Sequence, residues 1–324
     1  MSAITTRQLK RAFGDNLAVD GIDLDVDHGE IYGFLGPNGA GKSTMVKMLC
    51  TLLVPTSGSA RVAGFDVADA AGEIRLRIGV ALQDSSIDGR QTGREMLELQ
   101  AALYGLSAKH TAQRMDDVIG LVDIGTAIDD RVGSYSGGMK RRLDLAMSLI
   151  HKPQILFLDE PTTGLDPASR QAVWDEVRSL NREGMTIFLT TQYLEEADEL
   201  ADRVGIIARG KLEAEGTPTD LKRSIGNDLI IVEVDGDDAA TTAAADVVRA
   251  IDGIESVDTH GNELLAAAAS GASSIAAVAV ALNAKEIAVR GLTLRTPTLD
   301  DVFLDVTGAK LSAGTPSTDG EEAS

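Results

Sequence analysis

The stretch Gly36-Pro37-Asn38-Gly39-Ala40-Gly41-Lys42-Ser43-Thr44 carries the most specific chemistry in this chain. It fits G-x-x-x-x-G-K-[ST], the loop that cradles phosphates. Its glycines let successive backbone N–H groups turn inward without a Cβ clash, which makes a nest for an anion. Lys42 supplies a point charge for the β- and γ-phosphates, and the Ser43 hydroxyl is placed to ligate Mg²⁺. The flanks agree. Ile31-Tyr32-Gly33-Phe34-Leu35 reads as a strand entering the loop, and Met45-Val46 with Met48-Leu49 continues a helix out of it. The helix N-terminus then faces the phosphates, where its dipole favours negative charge. This is a nucleotide site.

Two further stretches supply what a phosphate cradle lacks. Ile155-Leu156-Phe157-Leu158 is a continuous apolar run typical of a strand buried on both faces, and it ends in Asp159-Glu160-Pro161. Asp159 stands where a Mg²⁺-coordinating carboxylate of a P-loop NTPase belongs. Glu160 is suited to orient or deprotonate an attacking water, a role that contributes typically about 10²–10⁴-fold. Upstream, Ser136-Gly137-Gly138 opens a helix and offers a second phosphate-binding N-terminus. Two such elements in one chain point to a site completed by another copy.

The elements around them read as a mixed α/β chain. Ile4 to Phe13 suits an edge strand, and Ile22 to Asp27 alternates with period two as a half-buried antiparallel strand. Ala60 to Val62 and Ile78 to Leu82 read as short strands. From Gln91 to about Asp123 the spacing of Met96, Leu97, Leu99, Leu103, Met115, Val118, Ile119 and Val122 turns helical, an all-helical insert. A basic amphipathic helix runs from Lys140 to Ile150, with Lys140, Arg141 and Arg142 read as a solvated face. Asp166-Pro167 is an N-cap followed by proline at the first helical position, and the helix it starts holds Trp174 as a packing residue. Thr186–Thr190 and Val204–Ala208 are further buried strands. From Asp228 the order β-α-β-β-α-β is the ferredoxin-like arrangement, followed by a closing helix from Thr298 to Val306. The Ser/Thr/Gly/Glu-rich residues from Ala309 are expected to be a disordered tail.

Composition narrows the class. With 324 residues, 44% apolar and 25% charged, the chain has room for two domains and a filled core. A net charge of −20 argues against direct nucleic-acid binding, which needs a positive surface to displace counterions. The single cysteine, Cys50, is expected to be a small buried residue on the helix after the loop. His28, His110, His151 and His260 are scattered and read as surface residues. The start, Met1 to Arg7, lacks the apolar region of a signal peptide. Leu264 to Asn283 is uncharged, but its six Leu, Ile and Val residues each contribute only about −0.3 to −0.6 kcal/mol to insertion. Gly271 with Ser270 reads as a strand–helix break there, so a soluble protein is expected.

On these motifs the chain resembles the nucleotide-binding subunit of an ATP-binding-cassette (ABC) transporter over residues 1–224. Tyr135-Ser136-Gly137-Gly138-Met139 resembles the family signature LSGGQ, and Gly164-Leu165-Asp166 resembles its D-loop. Gln83, ending a strand before the helical insert, is similar to the Q-loop glutamine. The resemblance implies Gln83 as a further Mg²⁺ contact and as the hinge between the phosphates and a permease. It also implies Phe13 as the aromatic that stacks on adenine, with a plain core phenylalanine as the alternative. Two departures stand out. Gln192 occupies the usual switch histidine position, where it can donate to a γ-phosphate but carries no charge. Met139 replaces the signature glutamine. Both, with the C-terminal domain and its Pro297–Phe303 run, resemble the daunorubicin/doxorubicin-resistance exporter branch.

The implied fold is a P-loop NTPase cassette with a RecA-like core, an antiparallel β subdomain and a helical subdomain at about 90–135. A ferredoxin-like accessory domain at 225–308 and a tail at 309–324 follow. The implied function is ATP hydrolysis with Mg²⁺ in a head-to-tail cassette dimer, each Ser136 loop closing on the partner's ATP. That dimer, either a homodimer or one with a paralogue, drives drug or lipid-like efflux through a separate multi-span permease. The protein would sit on the cytoplasmic face of the cell membrane. The competing expectation is a soluble, non-transport ATPase of DNA repair or the ribosome. Such relatives usually carry two cassettes or a long coiled coil, and this chain has one cassette, no sustained heptads and an acidic surface.

Overall fold

The chain begins in two long antiparallel strands, β1 (Ser2–Phe13) and β2 (Asn16–Asp27). β3 (Ile31–Leu35), buried along its whole length, runs into the glycine-rich loop, and α1 (Lys42–Leu49) leaves it. β4 (Ser57–Val62), β5 (Phe65–Asp66), α2 (Ala71–Arg75) and β6 (Ile78–Ala81) come next. The helical insert follows as α3 (Gly93–Leu103) and α4 (Ala108–Leu121). α5 (Gly137–Leu149), β7 (Ile155–Asp159), α6 (Pro167–Arg182) and β8 (Thr186–Thr191) then alternate. α7 (Leu194–Leu200), β9 (Arg203–Ala208) and β10 (Lys211–Gly216) lead to α8 (Pro218–Ile225). The computed structural model describes residues 2–83, 88–121, 125–236 and 238–308, which fall into two compact units divided between Pro218 and Thr219.

The first unit is built on a six-stranded sheet in the order β10-β9-β3-β8-β7-β6, with every neighbouring pair parallel except β10 and β9. Its inner strands are apolar on both faces because both faces are covered. Phe157 and Phe188 point to one side, where they meet Tyr32, Phe34, Met45 and Met48 together with the apolar residues of β1, β2 and β4. Leu156, Leu158, Ile187 and Leu189 point to the other, against α5, α6 and the helical insert. The period-two alternation of each strand thus feeds two separate cores.

Two sequence expectations change here, and one strand is new. β1 is not an edge strand: the second sheet has the order β2-β1-β4-β5, and β1 pairs on both sides. Its polar run is accommodated by register shifts around Arg7 and Gln8 against both partners rather than by an open edge. β10 escaped notice because only Leu212 and Ala214 are apolar in it, although it alternates in burial as a half-covered edge should. His151 is not a surface residue. It is half-buried, stacks on Tyr104 with ring centroids 3.7 Å apart, and its Nε2 lies 2.9 Å from the Ile78 carbonyl. Burial holds that imidazole below its ordinary pKa. Cys50 and Trp174 are buried, as packing residues should be.

The second unit contains β11 (Asp228–Val234), α9 (Asp238–Arg249), β12 (Ile254–His260), β13 (Glu263–Ala268), α10 (Gly271–Ala284) and β14 (Val289–Arg295). The strands form an antiparallel sheet in the order β12-β13-β11-β14, the ferredoxin-like arrangement. Ile230, Val232, Val234, Leu264 and Ala266 pack against Ala244, Val248, Val278 and Leu282 of the two helices. The uncharged stretch is therefore a strand and a helix, broken at Ser270 and Gly271. No described helix is long and apolar enough to cross a membrane. A capping box between Thr298 and Asp301 starts the closing helix, α11 (Leu299–Thr307). The tail expected from Ala309 lies outside the described residues, as does Val122 of the insert.

Phe188 is the hub of the aromatic cluster, 5.6 Å from both the Tyr32 and Phe34 centroids and 5.7 Å from that of Phe157. Phe188→Ala is expected to destabilise the first unit by about 3–5 kcal/mol, read from guanidinium unfolding.

Candidate functional site

The glycine-rich loop is squeezed between neighbours, which explains its composition. Gly36 N–H donates to the Thr191 carbonyl at 3.1 Å, tying the loop to the end of β8. Gly41 has φ +110°, and a Cβ there would stand 2.3 Å from the Ala18 carbonyl oxygen. Only glycine fits. By helix geometry the first N–H groups of α1 lack acceptors within the helix, so they are free for an anion. Lys42 is buried, donates to the Gly36 and Pro37 carbonyls at 2.7 and 3.1 Å, and pairs with Glu160 Oε1 at 3.2 Å.

Around the loop lies a cavity of about 450 Å³, lined by Asn38, Gly39, Gly41 to Thr44, Phe13, Asn16, Ala18, Gln83 and Glu160. That volume lies within the usual range of ligand sites. Phe13 is 46% exposed, with the Arg11 guanidinium 4.6 Å from its ring centroid. It is a solvent-facing ring and not a core phenylalanine. Asn16, which opens β2 opposite Phe13, was not anticipated from the sequence.

Glu160 sits in a strained backbone conformation, φ +48°, immediately after β7. Its N–H is held by the Thr190 carbonyl and hydroxyl, both at 3.1 Å. Its carboxylate is engaged on both oxygens. Lys42 faces Oε1, while the Gln83 amide and the Thr163 hydroxyl donate to Oε2, each at 3.3 Å. Asp159 is buried, accepts the Thr190 hydroxyl and does not line the cavity. Ser43, Gln83 and Asp159 offer a hydroxyl, an amide oxygen and a carboxylate. That is the short set of hard oxygen donors Mg²⁺ accepts when phosphates and water complete its shell.

A second cavity, of about 240 Å³, adjoins the first through Gln83 and Glu160 and is lined also by Gly137, Arg141, Thr163, Gly164 and Leu165. Ser136 caps α5, its hydroxyl accepting from Met139 N–H at 3.2 Å. A Cβ on Gly138 would stand 2.8 Å from Ser169 Oγ, so this glycine lets α5 close on α6. Asp166 caps α6 through the Ser169 N–H and hydroxyl at 3.0 and 2.7 Å, bonds that hold its carboxyl below the ordinary carboxylate range. The five signature residues part company. Ser136 and Gly137 are exposed, whereas Tyr135 is buried with its hydroxyl on the Ala127 carbonyl, and Met139 packs against the same core. Gln192 directly follows β8, half-buried, and lines neither cavity.

Two residues missed from the sequence lie close by. Arg141, expected on a solvated face, has a side chain only 13% exposed. It donates to the Pro161 and Leu82 carbonyls at 3.0 Å, to the Asp159 carbonyl at 3.2 Å and to Asp144 at 3.3 Å. The signal was present: Asp144, three residues on, interrupts the apolar face of Leu143, Leu145 and Ala146, where an unpaired carboxylate is costly. Glu196 of α7 is fully buried and accepts the Thr162 hydroxyl at 2.8 Å and the Trp174 ring N–H at 3.0 Å. Burial raises its pKa against these bonds.

Residues 19–163 match the profile of the ABC transporter family, and residues 216–307 match that of the ATP-binding protein DrrA1-3-like C-terminal domain. The daunorubicin resistance ATP-binding protein DrrA3 of Streptomyces coeruleorubidus is 45% identical over 307 residues, 95% of this chain and 96% of the relative. The daunorubicin/doxorubicin resistance ATP-binding protein DrrA of Streptomyces peucetius is 43% identical over 308 residues, 94% of this chain and 92% of the relative. A solved ATP-binding subunit of an ABC transporter superposes with a TM-score of 0.63 at 26% identity, covering 69% of this chain and 93% of that one.

The Asp144 carboxyl is pushed up to about 6 because burial outweighs the attraction of Arg141. A native pKa above the ordinary 3.8 means the folded state holds the proton more tightly, so this group's contribution to stability falls as pH rises from about 4 through 6. Relative to Asp144→Asn, the unsubstituted protein is expected to lose on the order of 1 kcal/mol between pH 5 and 7.5, read from paired denaturant titrations.

Proposed function

The chain belongs to the ABC transporter family as an ATP-binding subunit that hydrolyses ATP, and we propose that it powers the efflux of a drug or lipid-like compound through a separately encoded permease. The observation that carries the reading is the convergence of Phe13, the glycine-rich loop, Gln83 and Glu160 on one cavity. The likeness to resistance ATP-binding proteins extends through both units, which favours an exporter over a non-transport ATPase.

In this reading adenine stacks on Phe13, and the phosphates lie over the loop from Gly36 to Thr44 on its N–H groups and Lys42. Ser43, Gln83 and Asp159 would hold Mg²⁺, which would supply positive charge to offset that of the phosphates. The γ-phosphate competes with Glu160 for Lys42. Once Lys42 turns to the phosphate, Glu160 Oε1 is released to take the attacking water, while Gln83 and Thr163 keep the other oxygen in place. Gln192, at the end of β8, donates its amide to the γ-phosphate without adding charge. The exposed Ser136 and Gly137, with the Gly164–Asp166 turn, are offered to a second copy of the cassette, homologous or identical, whose ATP they cover. The second unit braces that dimer or tunes its turnover. The absence of a described membrane-spanning helix fits a subunit that works through a membrane partner.

Glu160→Gln is expected to lower ATP turnover at least about 100-fold while ATP binding and ATP-driven dimerisation persist. Lys42→Ala should lose binding itself. Turnover near that of the unsubstituted protein in Glu160→Gln would remove the catalytic assignment. Co-purification with a multi-span membrane protein tests the transport reading, and recovery with ribosomes instead would reverse it.

A further inference from the structure

The Arg141 guanidinium gathers three main-chain carbonyls from the carboxyl ends of two neighbouring parallel strands. Leu82 follows β6, and Asp159 and Pro161 flank Glu160 at the end of β7. Leu82 is adjacent to Gln83. One side chain of α5 is therefore bonded to the backbone on either side of Glu160 and next to Gln83. Five residues earlier on the same helix, about 7 Å along its axis, stands Ser136 with its exposed neighbour Gly137. Arg141 also lines the small cavity that Gly137 shares with Gln83 and Glu160.

We propose that Arg141 is a positioning residue that holds the Ser136-Gly137 end of α5 in register with Glu160 and Gln83 of its own chain. Each site of a cassette pair then senses the other: the element a chain presents to its partner's ATP moves with the carboxylate acting on its own. The inference rests on the reading of Ser136 and Gly137 as the element offered to a second copy.

A guanidinium suits this task. Its planar fork donates in several fixed directions at once, whereas an ammonium on a flexible stem is a point charge. The three carbonyls it gathers all belong to the segments that carry Glu160 and Gln83. At Gly138 the same helix approaches Ser169, beside the Asp166 cap of α6, so closely that a Cβ would meet its hydroxyl.

The test is steady-state ATP hydrolysis by the full-length chain carrying Arg141→Lys, beside a fluorescent ATP analogue for binding and thermal melting for fold. A misplacement of about 1 Å costs on the order of 100-fold in rate. Turnover is expected to fall roughly 10- to 100-fold, and the Hill coefficient for ATP from about two toward one, with analogue affinity within about three-fold and melting little changed. Unchanged turnover and Hill coefficient in the variant would overturn the proposal, as would a loss of rate with cooperativity intact. If Arg141→Lys does not fold, Arg141→Gln is read by the same criteria. Two unfolded variants would make Arg141 a purely structural residue and overturn the proposal too. Failure of the reading on which it rests looks different, because the unsubstituted protein would then itself hydrolyse ATP with a Hill coefficient near one.

Discussion

The site of the first unit depends on one buried carboxylate being held by groups from four separate segments. Glu160 takes Lys42 from the loop after β3, Gln83 from the end of β6 and Thr163 from its own turn, while Thr190 of β8 fixes its backbone. The strained φ at Glu160 persists only because these neighbours over-determine it. The six-stranded sheet makes the meeting possible. In a parallel sheet, successive strands deliver their carboxyl ends to the same edge, so loops far apart in sequence arrive side by side.

That arrangement also explains the two-sided core. Strands β7 and β8 send alternate residues into a core shared with the antiparallel sheet and α1, and into another shared with α5, α6 and the helical insert. The helix that presents the phosphate loop and the helix that begins at Ser136 thus lie on opposite faces of one rigid sheet. A small shift of either face is transmitted through close-packed side chains and not absorbed by slack. Arg141 adds a polar link across the second of these interfaces, at a cost in desolvation that its geometry offsets.

The phosphate loop, the buried strand ending in Asp159-Glu160, the capped helix starts at Ser136 and Asp166 and the β-α-β-β-α-β order of the second unit were all legible in the chain. Each depends on neighbours in sequence: glycine spacing, an apolar run and its end, or an N-cap before its helix. β1, β10, His151 and Arg141 were not. A strand's place in a sheet depends on which partners flank it, and the polar residues of β1 gave a false sign of exposure. β10 is stabilised by its pairing with β9 more than by its own apolar content. Arg141 looked like one of three solvated cations because its main-chain carbonyl acceptors lie 18 to 59 residues away.

The chemistry of this protein was determined by local sequence, since Lys42, Ser43, Asp159, Glu160 and Ser136 are marked by the residues beside them. Their mutual geometry was decided only by the tertiary structure. Three consequences appear nowhere in the residue pattern: Lys42 and Gln83 close on one carboxylate, Tyr135 leaves the signature for the core, and Arg141 joins the helix of Ser136 to the turn of Glu160. The physical reason is that hydrogen bonds and burial act between segments brought together by the sheet, and strand order is a property of the whole fold.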